Sequence, residues 1–69
     1  MGISYKKLWK LLIDKDMKKT QLREAVMLSS STIAKLTRNE YVALDVLVRI
    51  CFVLNCDIGD IIEIKRDEQ

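Results

Sequence analysis

At 69 residues, with 49% apolar and 32% charged residues, the chain has room for one small globular domain, not for several and not for a deep substrate cleft. It contains no histidine, no glycine-rich phosphate loop and no apolar run near the roughly 20 residues that span a bilayer, which argues against an enzyme and against a membrane protein. The net charge of +2 is unevenly spread: residues 1–54 carry ten Lys/Arg against five Asp/Glu, whereas residues 55–69 carry two against five. A basic body suits a polyanion, although an excess of this size also suits an ordinary solvated surface.

Taken in chain order, Ser4 is a candidate N-cap, and Tyr5, Leu8, Trp9, Leu12 and Ile13 follow at helical spacing. This predicts a first helix to about Lys15, with Lys6, Lys7 and Lys10 off the apolar stripe. Trp9 reads as core or half-buried packing. DKDM breaks the pattern, and Met17 is expected to anchor the start of a second helix. From Lys19 to Asn39, Leu22 and Val26 are four apart and Ile33 and Leu36 are three apart. Between them AVMLSSS is too short and polar for another element. Two short helices joined by a tight turn is the helix-turn-helix pattern.

The third helix is predicted from near Ser30, capped by Ser29, to near Thr37. Arg38, Asn39 and Glu40 form the exit turn, where Asn39 suits a left-handed backbone. Leu44, Leu47, Val48, Cys51 and Leu54 predict a central core helix over 44–54, stopped at Asn55. Asp57 with Asp60 reads as a capping box with a shorter acid, opening a short helix through about Ile62. Ile62 and Ile64 then alternate with charges, so residues 63–69 read either as a flexible tail or as a brief strand.

KTQLREAVMLSSSTIAKLTRN resembles the Cro/C1-type (phage repressor-like, XRE-like) helix-turn-helix domains, with Leu22, Val26, Leu28, Ile33 and Leu36 where that family keeps apolar residues. ALDVLVRICFVLNCDIGDII is similar to the family's fourth and fifth helices, so the likeness covers about residues 8 to 62. It implies an all-α fold: one compact five-helix lambda-repressor-like DNA-binding domain over 1–69, with its motif at about 19–38. Lys18, Lys19, Arg23 and Met27 depart from the family pattern. Lys18 and Lys19 stand where Thr-Gln usually caps the second helix and touches a phosphate. Arg23 replaces the usual alanine where the two helices cross, so it must extend outward along the apolar surface or the crossing must open. Met27 replaces the usual turn glycine, at a cost of about 1 kcal/mol if the turn keeps its left-handed residue.

The resemblance also implies a site. Ser30, Ser31 and Lys35 hold the positions through which the family reads base edges in the major groove. A serine hydroxyl discriminates modestly there, and a lysine donates to guanine O6 and N7. Lys18, Lys19, Ser29, Thr32, Arg38 and Asn39 are the candidate DNA-backbone contacts, with Lys6 or Lys10 as further counterion-displacing charges. For Ser29 a purely capping role weighs equally. Only about three base-reading side chains per copy imply a homodimer on two half-sites. Ile61, Ile62 and Ile64 form a candidate dimer strip, against an alternative of at least equal weight in which Ile61 and one neighbour merely close the core.

Cys51 lies among Ile50, Val53 and Leu54, and the resemblance implies small apolar residues at both cysteine positions, so Cys51 and Cys56 read as free buried thiols; two thiols without histidine make neither a structural zinc site nor a nucleophile site. No metal, cofactor or small-molecule effector is expected. The amino end, MGISYKK, has no apolar core behind its charges, so a cytoplasmic location is expected. The function expected from these residues is a sequence-specific double-stranded DNA-binding transcriptional regulator, a small repressor of bacterial or phage type acting on an operator. The alternative is a protein-interaction module, antitoxin-like or scaffold, that keeps the fold; weak serines at the reading positions, with Arg23 and Met27, hold it open.

Overall fold

A computed structural model describes residues 2–66. In chain order they form β1 (Gly2–Ser4), α1 (Lys6–Asp14), α2 (Lys19–Val26), α3 (Ser30–Thr37), α4 (Leu44–Leu54), a 3-10 turn (Ile58–Asp60) and β2 (Glu63–Lys65). The core is a single cluster to which every helix contributes: Tyr5, Leu8 and Leu12 beside and within α1, Leu22 and Val26 from α2, Leu36 from α3, and Leu47, Ile50, Cys51 and Leu54 from α4. Leu28 fills the turn between α2 and α3, and Ile61 closes the cluster from below the 3-10 turn.

The first helix starts later than its serine suggested. Ser4 belongs to β1, and its Oγ accepts a 3.2 Å hydrogen bond from the Lys6 N–H, leaving Tyr5 as the cap residue. Ile13, expected inside, is 75% exposed. The helix buries Leu8 and Leu12 with Tyr5 ahead of them, and Ile13 falls past that stripe. Asp16 then takes a left-handed conformation at φ 56°, and Met17 packs against the core as the chain enters α2.

Lys18 caps α2 without an acceptor oxygen, and half of a capping box replaces it: Gln21 Oε1 accepts a 2.7 Å hydrogen bond from the Lys18 N–H. Arg23 is half-buried while Leu22, Val26, Leu28 and Leu36 around it are buried, so the helix crossing stays closed. The turn keeps its left-handed residue, with Met27 at φ 61° and ψ 50°. Its side chain is 84% exposed and gains little packing in return. Replacing it by glycine removes a clash worth about 1–2 kcal/mol and returns about half of that as unfolded-state entropy. We therefore expect Met27→Gly to raise stability by about 0.5–1 kcal/mol, read as a melting temperature a few degrees higher by circular dichroism.

In α4 the inward residues are Leu47, Ile50, Cys51 and Leu54, at i, i+3, i+4 and i+7. Leu44 and Val48, expected in the core, are 65% and 38% exposed. The helix carries apolar residues on two adjacent stripes, and the core takes the one containing Ile50. Asn55 ends the helix in a left-handed conformation, as its position suggested. Both cysteines are free, Cys51 buried and Cys56 only half-buried. Burial, with the neighbouring Cys56, pushes the Cys51 thiol up to about 11, so it stays protonated near neutral pH.

The expected fifth helix is absent among the described residues. Asp60 Oδ2 accepts a 3.0 Å hydrogen bond from the Asp57 N–H, but only one 3-10 turn follows. Ile61 then drops into the core, fully buried, and the chain extends to pair with the amino terminus. β2 lies antiparallel to β1 in the register Gly2↔Lys65, Ile3↔Ile64, Ser4↔Glu63. Pairing satisfies the extended backbone that a helix would have bonded internally. The fold is thus mostly helical, with four α-helices and a two-stranded sheet, rather than all-α with five. Of the tail, residues 63–65 are strand; residues 67–69 lie outside the described residues.

Candidate nucleic-acid interface

The helix that would meet a polyanion is held at both ends by side-chain hydrogen bonds. At its start, Ser29 Oγ accepts from the Thr32 N–H at 3.2 Å, an N-cap of ordinary geometry. The same oxygen lies 3.0 Å from both Ser31 Oγ and Thr32 Oγ1, so Ser29, Ser31 and Thr32 form one connected hydroxyl network, of which Ser30 is not a member. Ser29, Ser30 and Ser31 are exposed and Thr32 is half-buried. Lys35, also exposed, lies one helical turn beyond Ser31 on the same side, while Leu36 is buried on the other. The structure therefore brings Ser30, Ser31 and Lys35 together on the solvent side of α3.

At the far end of α3 the amino terminus of α2 comes alongside. The Lys19 ammonium stands 4.1 Å above the centroid of the Trp9 ring and 3.4 Å from Thr37 Oγ1. One side chain thus spans α1, α2 and α3. The ring quadrupole attracts the cation and restricts a flexible stem, a contact worth about 0.5–1 kcal/mol at an exposed site. Lys19 is consequently placed beside the exit of α3 before any ligand arrives. Sequence reasoning assigned Lys19 its charge but gave Trp9 only packing; no spacing rule links residues 9, 19 and 37. Lys6 lines the same surface groove as Trp9, Thr37 and Asn39. Lys10 lines a different one with Asp14, Lys15 and Leu54, away from this end of α3. Lys18 is exposed at the α2 cap.

The exit turn is secured from α1. Asn39 has the left-handed backbone expected of it, at φ 60°. Its Oδ1 accepts a 3.0 Å hydrogen bond from the Tyr5 N–H, and Tyr5 Oη donates to the Glu40 carbonyl at 2.8 Å. Burial raises the Tyr5 phenol above its ordinary value, keeping it a donor. The Asn39 carbonyl oxygen is therefore committed to the fold, leaving its amide N–H groups for an outside acceptor.

Arg38 is exposed, but it is paired. Its Nε donates to Glu40 Oε2 at 2.6 Å and its Nη2 to Oε1 at 3.4 Å. The hydrogen bond to Arg38 holds the Glu40 carboxyl below its usual range, and the same bond raises the Arg38 guanidinium. The carboxylate cancels local positive charge where a phosphate is expected to approach. Glu40→Gln removes that cancellation without touching the core, so we expect several-fold tighter duplex binding. The steeper dependence of affinity on salt checks it, since one more free cation displaces counterions.

Of the expected dimer strip, Ile61 is excluded by its burial, because a side chain that closes the core presents nothing to a partner. Ile62 is half-buried and Ile64 is 57% exposed on β2. No helix among the described residues is long and apolar enough to cross a membrane. No group of three or more metal-ligating side chains occurs among them either.

A comparison with curated proteins returns no match. Among solved structures, the chain is similar to the crystal structure of the transcriptional regulator VanUg, at 64% identity and a TM-score of 0.93, over 96% of this chain and 88% of that one. The family model for the Cro/C1-type HTH DNA-binding domain matches residues 7–67. A likeness of that extent, on a fold whose two central helices meet at a capped turn, means that this chain belongs to the Cro/C1-type helix-turn-helix DNA-binding domain family.

Proposed function

We propose that the chain is a sequence-specific transcriptional regulator of the small repressor type, acting in the cytoplasm as a homodimer with α3 in the major groove of an operator. The observation that carries this reading is the exposed row Ser30, Ser31 and Lys35 on α3, flanked by a hydroxyl network at one end and by Lys19 and Arg38 at the other. In this reading Ser30, Ser31 and Lys35 meet base edges, while Lys18, Lys19, Ser29, Thr32, Arg38 and Asn39 lie along the phosphates. Lys6 joins the backbone contacts because it shares the groove with Thr37 and Asn39; Lys10 does not.

The test is fluorescence anisotropy on duplex DNA from immediately upstream of the protein's own gene, against a scrambled duplex of equal length, at several salt concentrations. Selective binding is expected. Arg38 is left out because it is paired with Glu40; Lys6, Lys18 and Lys19 of two copies then give six phosphate-facing lysines and imply an affinity loss on the order of 1,000-fold between 50 and 200 mM salt. Equal, weak binding to both duplexes reduces the reading to a charged surface. No binding at low salt overturns it and turns attention to a protein partner.

A further inference from the structure

The stripe of α4 turned away from the core is as apolar as the one turned inward. Leu44, Val48 and Phe52 follow at i, i+4 and i+8, and they are 65%, 38% and 82% exposed. Together they show on the order of 400 Å² of apolar surface, scaled from the 150–250 Å² that a covered aromatic ring gives. A patch of that size is at the scale where an exposed apolar surface on a small domain marks an interaction site.

We infer that a second copy of this chain covers this face, α4 packed antiparallel against α4 about a twofold axis at Val48. Three observations select that occupant. First, the stripe is self-complementary: an axis at Val48 sets Leu44 of each copy against Phe52 of the other, the reciprocal pairing that an isologous interface requires. Second, the charges bordering the stripe are Asp45 and Arg49, one turn apart on the same flank. Arg49 Nη1 donates to the Val26 carbonyl of its own chain at 3.4 Å, which leaves the other guanidinium N–H groups for a carboxylate. In an antiparallel pair equivalent flanks meet, so Asp45 of each copy approaches Arg49 of the other; a parallel pair would set that flank against the side of α4 that carries no charge. Third, the area suffices: two such patches bury about 800 Å² of apolar surface, close to the apolar share of a standard interface of about 1,600 Å². An open groove of about 350 Å³ at the carboxyl end of α4, lined by Val48, Phe52 and Asn55, supplies the hollow for the opposing helix's Leu44 end.

The inference rests on the homodimer of the proposed function and names its surface. Sedimentation equilibrium without DNA separates the two claims. Wild type is expected to be a dimer at micromolar concentration. Phe52→Glu, an exposed position, is expected to keep the wild-type circular dichroism and to raise the dimer dissociation constant at least tenfold. Asp45→Arg is expected to weaken the dimer through repulsion from Arg49, and Asp45→Arg with Arg49→Asp to restore it. A wild type that stays monomeric at high concentration overturns the inference. So does a dimer that survives Phe52→Glu and splits on Ile64→Asp, which would put the contact on the β2 edge. A dimer that binds no DNA leaves this surface standing and removes only the regulatory reading.

Discussion

Lys35→Ala is expected to bind an operator duplex about 5- to 150-fold more weakly than wild type, with its affinity for scrambled DNA nearly unchanged. The side chain is exposed, one turn past Ser31, and takes no part in the core, so its removal leaves the fold intact. In the proposed reading the substitution removes a donor that discriminates guanine from other bases, an effect that would appear only on the correct sequence. Lys19→Ala supplies the contrast. Its ammonium sits over Trp9 beside Thr37, where a phosphate and not a base would lie. That substitution should weaken binding to every sequence alike and reduce the salt slope by about 1. Anisotropy titrations of both variants on both duplexes distinguish the roles. If Lys35→Ala weakens both duplexes equally, Lys35 is a backbone contact and base reading falls to the serines.

The pair α2 and α3 was legible because its signals are local. Leu22, Val26, Leu28 and Leu36 mark the buried face, Ser29 provides the cap, and Met27 and Asn39 hold the left-handed positions where the motif needs them. The errors arise where a local pattern has two solutions. α4 carries apolar residues on two adjacent stripes, and only tertiary packing decides that Ile50 goes in and Leu44 stays out. At the carboxyl end the expected fifth helix fails, since only a 3-10 turn forms over Ile58–Asp60, whereas the brief strand offered by the alternation of Ile62 and Ile64 is present over 63–65. Its partner strand is a three-residue segment at the opposite terminus, too short to register on its own. Among the site residues, charge marked Arg38 and Lys19, yet their partners Glu40 and Trp9 emerge only from the folded chain. Leu44 and Val48, which the core pattern had claimed, stay outward beside Phe52, and that exposure is what leaves this face open to the proposed second copy.

Leu36→Ala should have the largest effect on stability. Leu36 is fully buried and is the principal anchor of α3, whose other inward residue, Ile33, is only half-buried. Truncating a buried leucine costs about 2.7–5 kcal/mol, the spread depending on how far the cavity collapses. A domain of this length holds about 3–10 kcal/mol in total, so the variant should lose much of its folded population at physiological temperature. Urea unfolding followed by far-UV circular dichroism measures the loss, with Ile13→Ala, 75% exposed, as a control expected within about 0.5 kcal/mol of wild type. Operator DNA binds only the folded state, so a duplex at 100 times its dissociation constant should return about 2.7 kcal/mol and restore the helical signal. Recovery with operator but not with scrambled duplex would show that the folded domain binds the operator selectively. If Leu36→Ala proves as stable as Ile13→Ala, α3 is not packed through this residue, and the placement of its outward face loses its support.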